Sequence, residues 1–166
     1  MKIFLSALEG ASWLKNLDEL PFKLKWNLMS YYYLRGSGKE RSTQIIRDNS
    51  ELIMIDSGAH SFQKGARVDW ISYTREYADF IAKFDRPNVV GFFEMDIDSI
   101  VGYTRVLELR KILQSVSDKI IPVWHKNRGI NGFIPDTAVF RQKRRAPVLL
   151  RFNLSFPLFK VPCQFP

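Results

Sequence analysis

Short apolar segments alternate with amphipathic segments over residues 1–125, and this alternation constrains the fold more than any other feature of the sequence. The apolar segments predict five strands, at Lys2–Ala7, Trp26–Leu34, Leu52–Ile55, Val89–Phe93 and Lys119–Trp124. A strand–helix rhythm of this kind is typical of a parallel sheet covered by helices. We therefore predict an α/β fold of about five βα units, which fits a partial (β/α) barrel or an open doubly wound sheet.

The segments between the predicted strands carry helical spacing. They predict helices at Ala11–Leu20, Glu40–Asn49, Asp69–Phe84 and Ser99–Ser115. The third is the clearest, because its aromatic residues recur every three or four positions and Asp69 can cap its first turn. The Leu52–Ile55 strand is apolar at every position, which predicts helices on both faces of the sheet.

Three successive predicted strands end in polar residues. Asp56 ends the third, Glu94 and Asp96 end the fourth, and His125 ends the fifth. In parallel sheets, functional groups collect at the carboxyl ends of the strands. The candidate site is therefore expected at this edge of the sheet.

Asp56 opens the turn Asp-Ser-Gly-Ala. Gly58 can adopt a positive φ, and the amides of Ser57 and Gly58 can bind an oxygen atom of a ligand. Capping of the next segment by Asp56 explains the same residues without catalysis.

The segment FFEMDID contains three acids at alternating positions. If the strand continued, Glu94, Asp96 and Asp98 would share one face and could bind Mg²⁺ or Mn²⁺ through oxygen ligands. Alternatively, one acid lies in a pocket while Asp98 caps the helix that begins near Ser99. His125 fits a hydrogen-bond donor, an acid–base group, a metal ligand or a structural histidine equally well.

The net charge and the cysteine content limit which kinds of partner and which cellular compartment are expected. The chain has 25 Lys and Arg against 17 Asp and Glu, a net charge of +8, which favours a polyanion such as nucleic acid as partner. The single cysteine, Cys163, excludes an internal disulfide and a multi-thiolate zinc site. We expect a cytoplasmic protein, because the sequence has no signal peptide and no membrane-spanning segment.

Residues 133–166 differ in character from residues 1–132, which we expect to form the catalytic-type domain. The tail has six basic residues against one acid, five prolines and no apolar period. Two explanations fit: a basic nucleic-acid arm, or a C-terminus displaced by truncation or frameshift.

The ordered set of these segments resembles a known family. IMIDSGAHSFQ (residues 53–63) resembles the Asp-Ser-Gly-Gly-Phe-Gln element of queuine tRNA-ribosyltransferases (tRNA-guanine transglycosylases), and is closer still to phage relatives that place 7-deazaguanine bases in DNA. The strand ending in Asp96, the segment Pro122–His125 and the opening KIFLSALEG resemble the same phage group. The resemblance covers residues 1–132.

The resemblance implies a (β/α)8 barrel that exchanges guanine for a 7-deazaguanine in phage DNA or tRNA, in the host cytoplasm if phage-encoded. It implies that Asp56 contacts the base as acid–base catalyst and that Asp96 reads the guanine edge. Ser57, Gly58 and His125 are the other predicted substrate-binding residues. No cofactor is implied.

The chain also departs from the family. His60 replaces an apolar residue, the three-cysteine zinc site is missing, and the only acid after His125 is Asp136, in a context unlike the nucleophile's strand. Because the nucleophile is missing, we expect little exchange activity. A partial barrel would also leave strand edges and apolar helix faces uncovered, so we expect the chain to self-associate. Two other functions fit: a metal-dependent glycosyl- or phosphotransferase using Glu94, Asp96 and Asp98, and a non-catalytic partial barrel that binds nucleic acid.

Overall fold

A computed structural model describes residues 3–6, 23–62 and 67–125 of the chain. These residues form a five-stranded, all-parallel sheet with the strands in chain order. The strands are β1 (Leu5–Ser6), β2 (Leu24–Ser30), β3 (Ser50–Asp56), β4 (Val89–Phe93) and β5 (Ile120–Ile121). The predicted α/β class with a parallel, barrel-like sheet of five strands is confirmed.

Helices follow the strands along the chain. They are α1 (Tyr31–Leu34), α2 (Glu40–Asp48), α3 (Trp70–Phe84), α4 (Asp98–Val101) and α5 (Tyr103–Gln114), and a 3₁₀ turn lies at Ala59–Phe62. As predicted, the Asp69 carboxylate caps α3 by accepting hydrogen bonds from the amides of Ile71 and Ser72, at 3.0 and 3.2 Å. The predicted helix at Ala11–Leu20 lies outside the described residues.

The strand order distinguishes between the two architectures that the sequence allows. A doubly wound sheet reverses its strand order at a switch point and carries helices on both faces. Here neighbouring strands are consecutive in the chain, and the described helices pack on one face only, which we call the helix-covered face. This arrangement is that of a (β/α) barrel wall, and within the described residues β3 carries helices on one face rather than on both as predicted.

The two faces of the sheet carry different apolar clusters. The larger cluster lies on the helix-covered face, where Ile53 and Ile55 of β3 pack with residues from α1, α2, α3, α4 and α5. On the opposite face Met54, Phe93 and Ile121 form a small cluster, to which no described helix contributes. β3 is therefore apolar throughout because each of its faces contacts a separate cluster.

Several predicted elements have different bounds: β3 is longer than predicted, at Ser50–Asp56, and β5 is shorter, at Ile120–Ile121. Two further differences have a clear structural reason. β2 ends at Ser30 rather than Leu34, because the chain turns into α1 and places Tyr31 among the rings of α3, 4.8 Å from the centroid of Tyr77. The predicted helix Ser99–Ser115 is two helices, since Gly102 has φ +82° and interrupts the helical conformation.

Candidate functional site

The first part of the candidate site is the turn that follows β3. Asp56 is the last residue of β3, and its Oδ2 accepts a hydrogen bond of 2.9 Å from the amide of Gly58. The amide of Ser57 also stabilises this carboxylate. Both amides that the sequence offers to a ligand oxygen therefore face the side chain of Asp56, and a role for Ser57 and Gly58 in substrate binding stays a prediction.

Gly58 is required by the packing of this turn. Its φ is +70°, as predicted. A Cβ atom at this position would lie 2.4 Å from Cβ of Tyr32 and 2.7 Å from Oγ of Ser30. The space beside Gly58 is filled by the end of β2 and the start of α1, so its small size serves contact with this chain rather than approach by another molecule.

The environment of Asp56 favours its protonated form. Burial raises the pKa of Asp56 above its usual value, and the negative charge of Asp96 raises it further. The amides of Gly58 and Ser57 and the exposed His60 act in the opposite direction but do not cancel the effect of burial. Asp56 is thus suited to carry a proton at a pH where an exposed carboxyl group is ionised.

The second part of the site joins the ends of β4 and β5. The imidazole Nε2 of His125 lies 2.5 Å from Oδ1 of Asp96 and 3.5 Å from Oδ1 of Asp98. All three side chains are partly exposed. One donor atom from each lies within 4.8 Å of the others, a spacing that allows them to share a cation. The structure thus brings Asp96 and His125 together at the edge where the sequence predicted them.

Glu94 does not belong to this cluster, so the prediction that Glu94, Asp96 and Asp98 share one strand face was wrong. β4 ends at Phe93, and the alternation on which that prediction depended ends with it. The carboxylate of Glu94 instead accepts hydrogen bonds from the guanidinium of Arg110 at 2.5 and 2.9 Å and from the amide of Val123 at 2.7 Å. Glu94 and Arg110 are both buried, so this ion pair is part of the core.

Asp98 is also placed differently from the predicted helix cap. It is the first residue of α4, whose N-cap position is occupied by Ile97. The carboxylate of Asp98 lies near His125 instead. Asp96 and Asp98 are therefore the two acids of the FFEMDID segment that flank the histidine.

Three residues that support the site were not identified as site residues from the sequence. The hydroxyls of Tyr73 and Tyr77 bond main-chain carbonyls at the ends of β3 and β4, and Arg110 neutralises Glu94. Arg110 lies between Val106 and Leu113 on the buried side of α5. A cation in that position indicates a buried acidic partner, which was the available signal.

The side chain of Ser57 lies in an unusual environment in this turn. It is fully buried, and its Oγ has no hydrogen-bond partner among the described residues. A buried hydroxyl without a partner is costly, so the turn that holds Asp56 is not optimised for stability.

We expect Asp56→Asn to stabilise the protein at neutral pH. Because the pKa of Asp56 is raised in the folded state, folding is favoured when this group is protonated, and the contribution is lost as pH rises through the folded-state pKa. Asparagine is neutral and can still accept the hydrogen bond from Gly58. Urea denaturation should show the variant more stable than wild type at pH 7, with the difference shrinking towards pH 3. Asp69→Ala, which removes the exposed α3 cap, should be destabilising at pH 7 and is the contrasting control.

Comparison of the chain with protein-family models, with curated proteins and with solved structures gives no match. Among the described residues, no helix has the length and apolar character needed to cross a membrane. The resemblance to the queuine tRNA-ribosyltransferases therefore stays a prediction, and the case for function rests on the geometry of Asp56, Asp96 and His125.

Proposed function

We propose that the chain binds a guanine-type base and belongs functionally with the transglycosylases that exchange guanine for a 7-deazaguanine in nucleic acid. The observation that carries the proposal is the pairing of two unlike carboxyl groups at the ends of adjacent strands. Both carboxyl groups are partly buried, but the pKa of Asp56 is raised, chiefly by desolvation, whereas Asp96 contacts His125. Two acids in different environments are a common basis for acid–base chemistry.

The two acids fit different parts of the reaction. When the bond between the sugar and the base breaks, the electron pair moves to the base, which then needs a proton. Asp56 can supply that proton. The carboxylate of Asp96 can accept two hydrogen bonds, one from N1–H and one from N2–H of guanine, and these donors are absent from adenine.

The proposal includes a nucleic-acid partner and a cytoplasmic location. The net charge of +8 supports a polyanionic substrate. The nucleophile that would form a covalent glycosyl intermediate is not assigned, because Asp136 lies outside the described residues and Asp56 and Asp96 are assigned to the base. For this reason we propose base binding with little base exchange by this chain alone.

The second candidate is a divalent-cation-dependent transferase. The convergence of Asp96, Asp98 and His125 favours it, although Glu94 leaves the ligand set that the sequence suggested. Oxygen ligands with one imidazole suit Mg²⁺ less well than Mn²⁺. In this alternative Asp96 binds a cation rather than guanine, so the two candidates make opposite predictions about chelation.

We expect guanine to bind in the presence of excess EDTA, and Asp96→Asn to weaken this binding by about 1–3 kcal/mol through the loss of charge-assisted hydrogen bonds. Isothermal titration calorimetry measures both effects. Glu108→Gln is the matched control, because Glu108 is an exposed acid on α5 and its change should leave the Kd unaltered. Adenine should bind more weakly than guanine to the wild type.

Two outcomes would count against the proposed function, and a third would contradict only the expectation of little base exchange. Guanine binding that requires Mn²⁺ or Mg²⁺ would support the second candidate. Absence of guanine binding under all conditions would remove the first. Robust incorporation of radiolabelled guanine into DNA or tRNA by this chain would keep the function but show that the nucleophile is present, with Asp56 the first residue to test.

A further inference from the structure

Two tyrosines of α3 bond the main chain on either side of Asp56. The hydroxyl of Tyr73 donates a hydrogen bond of 2.7 Å to the carbonyl of Ser57. The hydroxyl of Tyr77 lies 3.4 Å from the carbonyl oxygen of Ile55 and 3.2 Å from that of Phe93. Asp56 is thus held between two carbonyl groups that contact the same helix.

The spacing of the two tyrosines explains how one helix reaches both strands. Residues four apart lie on the same face of a helix, so Tyr73 and Tyr77 point together towards the sheet. Both side chains are buried, Tyr77 completely. From this face the tyrosine hydroxyls reach main-chain carbonyl groups at the ends of β3 and β4.

The contact with Phe93 links the two halves of the candidate site. Phe93 is the last residue of β4, and the chain continues from it to Asp96. The hydroxyl of Tyr77 lies within hydrogen-bonding distance of both β3, which carries Asp56, and β4, which leads to Asp96. The position of Asp56 relative to Asp96 therefore depends on the buried hydroxyl of Tyr77, which belongs to α3.

The closeness of the tyrosines to Asp56 also affects their titration. The pKa of Tyr77 is raised by its burial and further by the negative charge of Asp56, and the charge of Asp56 acts in the same direction on Tyr73. The titratable groups that act on Asp56 itself are Asp96 and His60. The tyrosines are thus neutral donors placed beside a carboxyl group.

We propose that Tyr73 and Tyr77 are positioning residues, which hold Asp56 in its half-buried place and set its spacing from Asp96 by bonding the carbonyls of Ser57, Ile55 and Phe93. The placement of Asp56 follows from the hydrogen bonds alone, whereas the consequence for base binding rests on the proposed function. Neither tyrosine is required to touch the substrate.

The test uses Tyr73→Phe, Tyr77→Phe and the double variant, each of which keeps the ring and removes only the hydroxyl. The first readout is the titration of the Asp56 carboxyl carbon by ¹³C NMR, assigned by comparison with Asp56→Asn. We expect the midpoint to fall towards that of an ordinary aspartate, because a loosened turn admits water to Asp56. The second readout is guanine affinity, with an expected loss of about 2–10-fold for each single variant.

Tyr31→Phe is the matched control. Tyr31 belongs to the same aromatic cluster and is buried, and its hydroxyl makes none of the three bonds described. An Asp56 midpoint that is unchanged in a folded Tyr77→Phe or Tyr73→Phe variant, or that moves equally in Tyr31→Phe, would overturn the proposal. The NMR readout needs no ligand, so failure of guanine to bind would count against the proposed function and leave the positioning proposal to be judged by the titration.

Discussion

Replacement of Arg110 by methionine is expected to lower the free energy of unfolding by about 3–5 kcal/mol. Arg110 is the charged partner of Glu94, and the side chains of the pair are 7% and 1% exposed. Removal of the guanidinium takes away the cation that pairs with the buried carboxylate of Glu94, whereas the hydrogen bond from the amide of Val123 remains. An uncompensated charge in such surroundings is among the most destabilising changes that a single substitution can make.

Two controls separate the effect of burial from the loss of a charge. Arg105→Met removes an exposed arginine that pairs with Glu108 on the same helix, and it should cost less than about 1 kcal/mol. The double variant Arg110→Met with Glu94→Gln should recover a large part of the lost stability, since glutamine can still accept from Val123 and carries no charge. Chemical denaturation at pH 7 measures all three variants. Equal costs for Arg110→Met and Arg105→Met would show that the pair is not a core element.

Substitution of Gly58 by alanine is expected to cost about 2–5 kcal/mol, the sum of a conformational and a steric contribution. The φ of +70° is unfavourable for alanine, and the added Cβ would lie only 2.4 Å from Cβ of Tyr32. The turn can relieve this contact only by moving away from α1, which would also displace Asp56. Guanine affinity should therefore fall together with stability.

Gly38→Ala isolates the conformational contribution, which can then be subtracted from the cost of Gly58→Ala. Gly38 has a similar φ of +79°, and no atom lies within 4 Å of the Cβ that a substitution would add. It should cost only about 1–2 kcal/mol, the conformational contribution alone. The difference between the two variants, measured by urea denaturation, gives the cost of the contact with Tyr32. If the two costs were the same, the tight packing beside Gly58 would have no energetic importance.

The parts of the fold that could be predicted from sequence are those that local patterns determine. β4 has its predicted bounds, and α3 begins one residue after Asp69, as its capping role requires. Tyr31 shows where local patterns fail. The segment Tyr31–Leu34 has strand propensity but forms a helix, because this conformation buries Tyr31 against the rings of α3.

The candidate site shows the same division. The sequence indicates that Asp56, Asp96 and His125 follow successive strands, and parallel pairing then brings them to one edge of the sheet. It does not indicate which acid of the FFEMDID segment faces the histidine, because that depends on the residue at which β4 ends. The partnership of Glu94 with Arg110 depends on how α5 lies across the sheet, a relation between elements that local periodicity does not contain.

The consecutive order of the strands has a consequence for how the chain folds. Each described strand pairs with the next one along the chain. Every pairing therefore forms across one connecting segment and needs no residues from a more distant part of the sequence. Paired residues lie between 22 positions apart, as for Leu5 and Asn27, and 37 positions apart, as for Met54 and Gly91, so each pairing can form once its own βα segment is complete. The sheet can therefore grow strand by strand during synthesis, which proceeds from the N-terminus. The turn that holds Asp56 would then be complete only when α3 has emerged and its tyrosines can bond the end of β3.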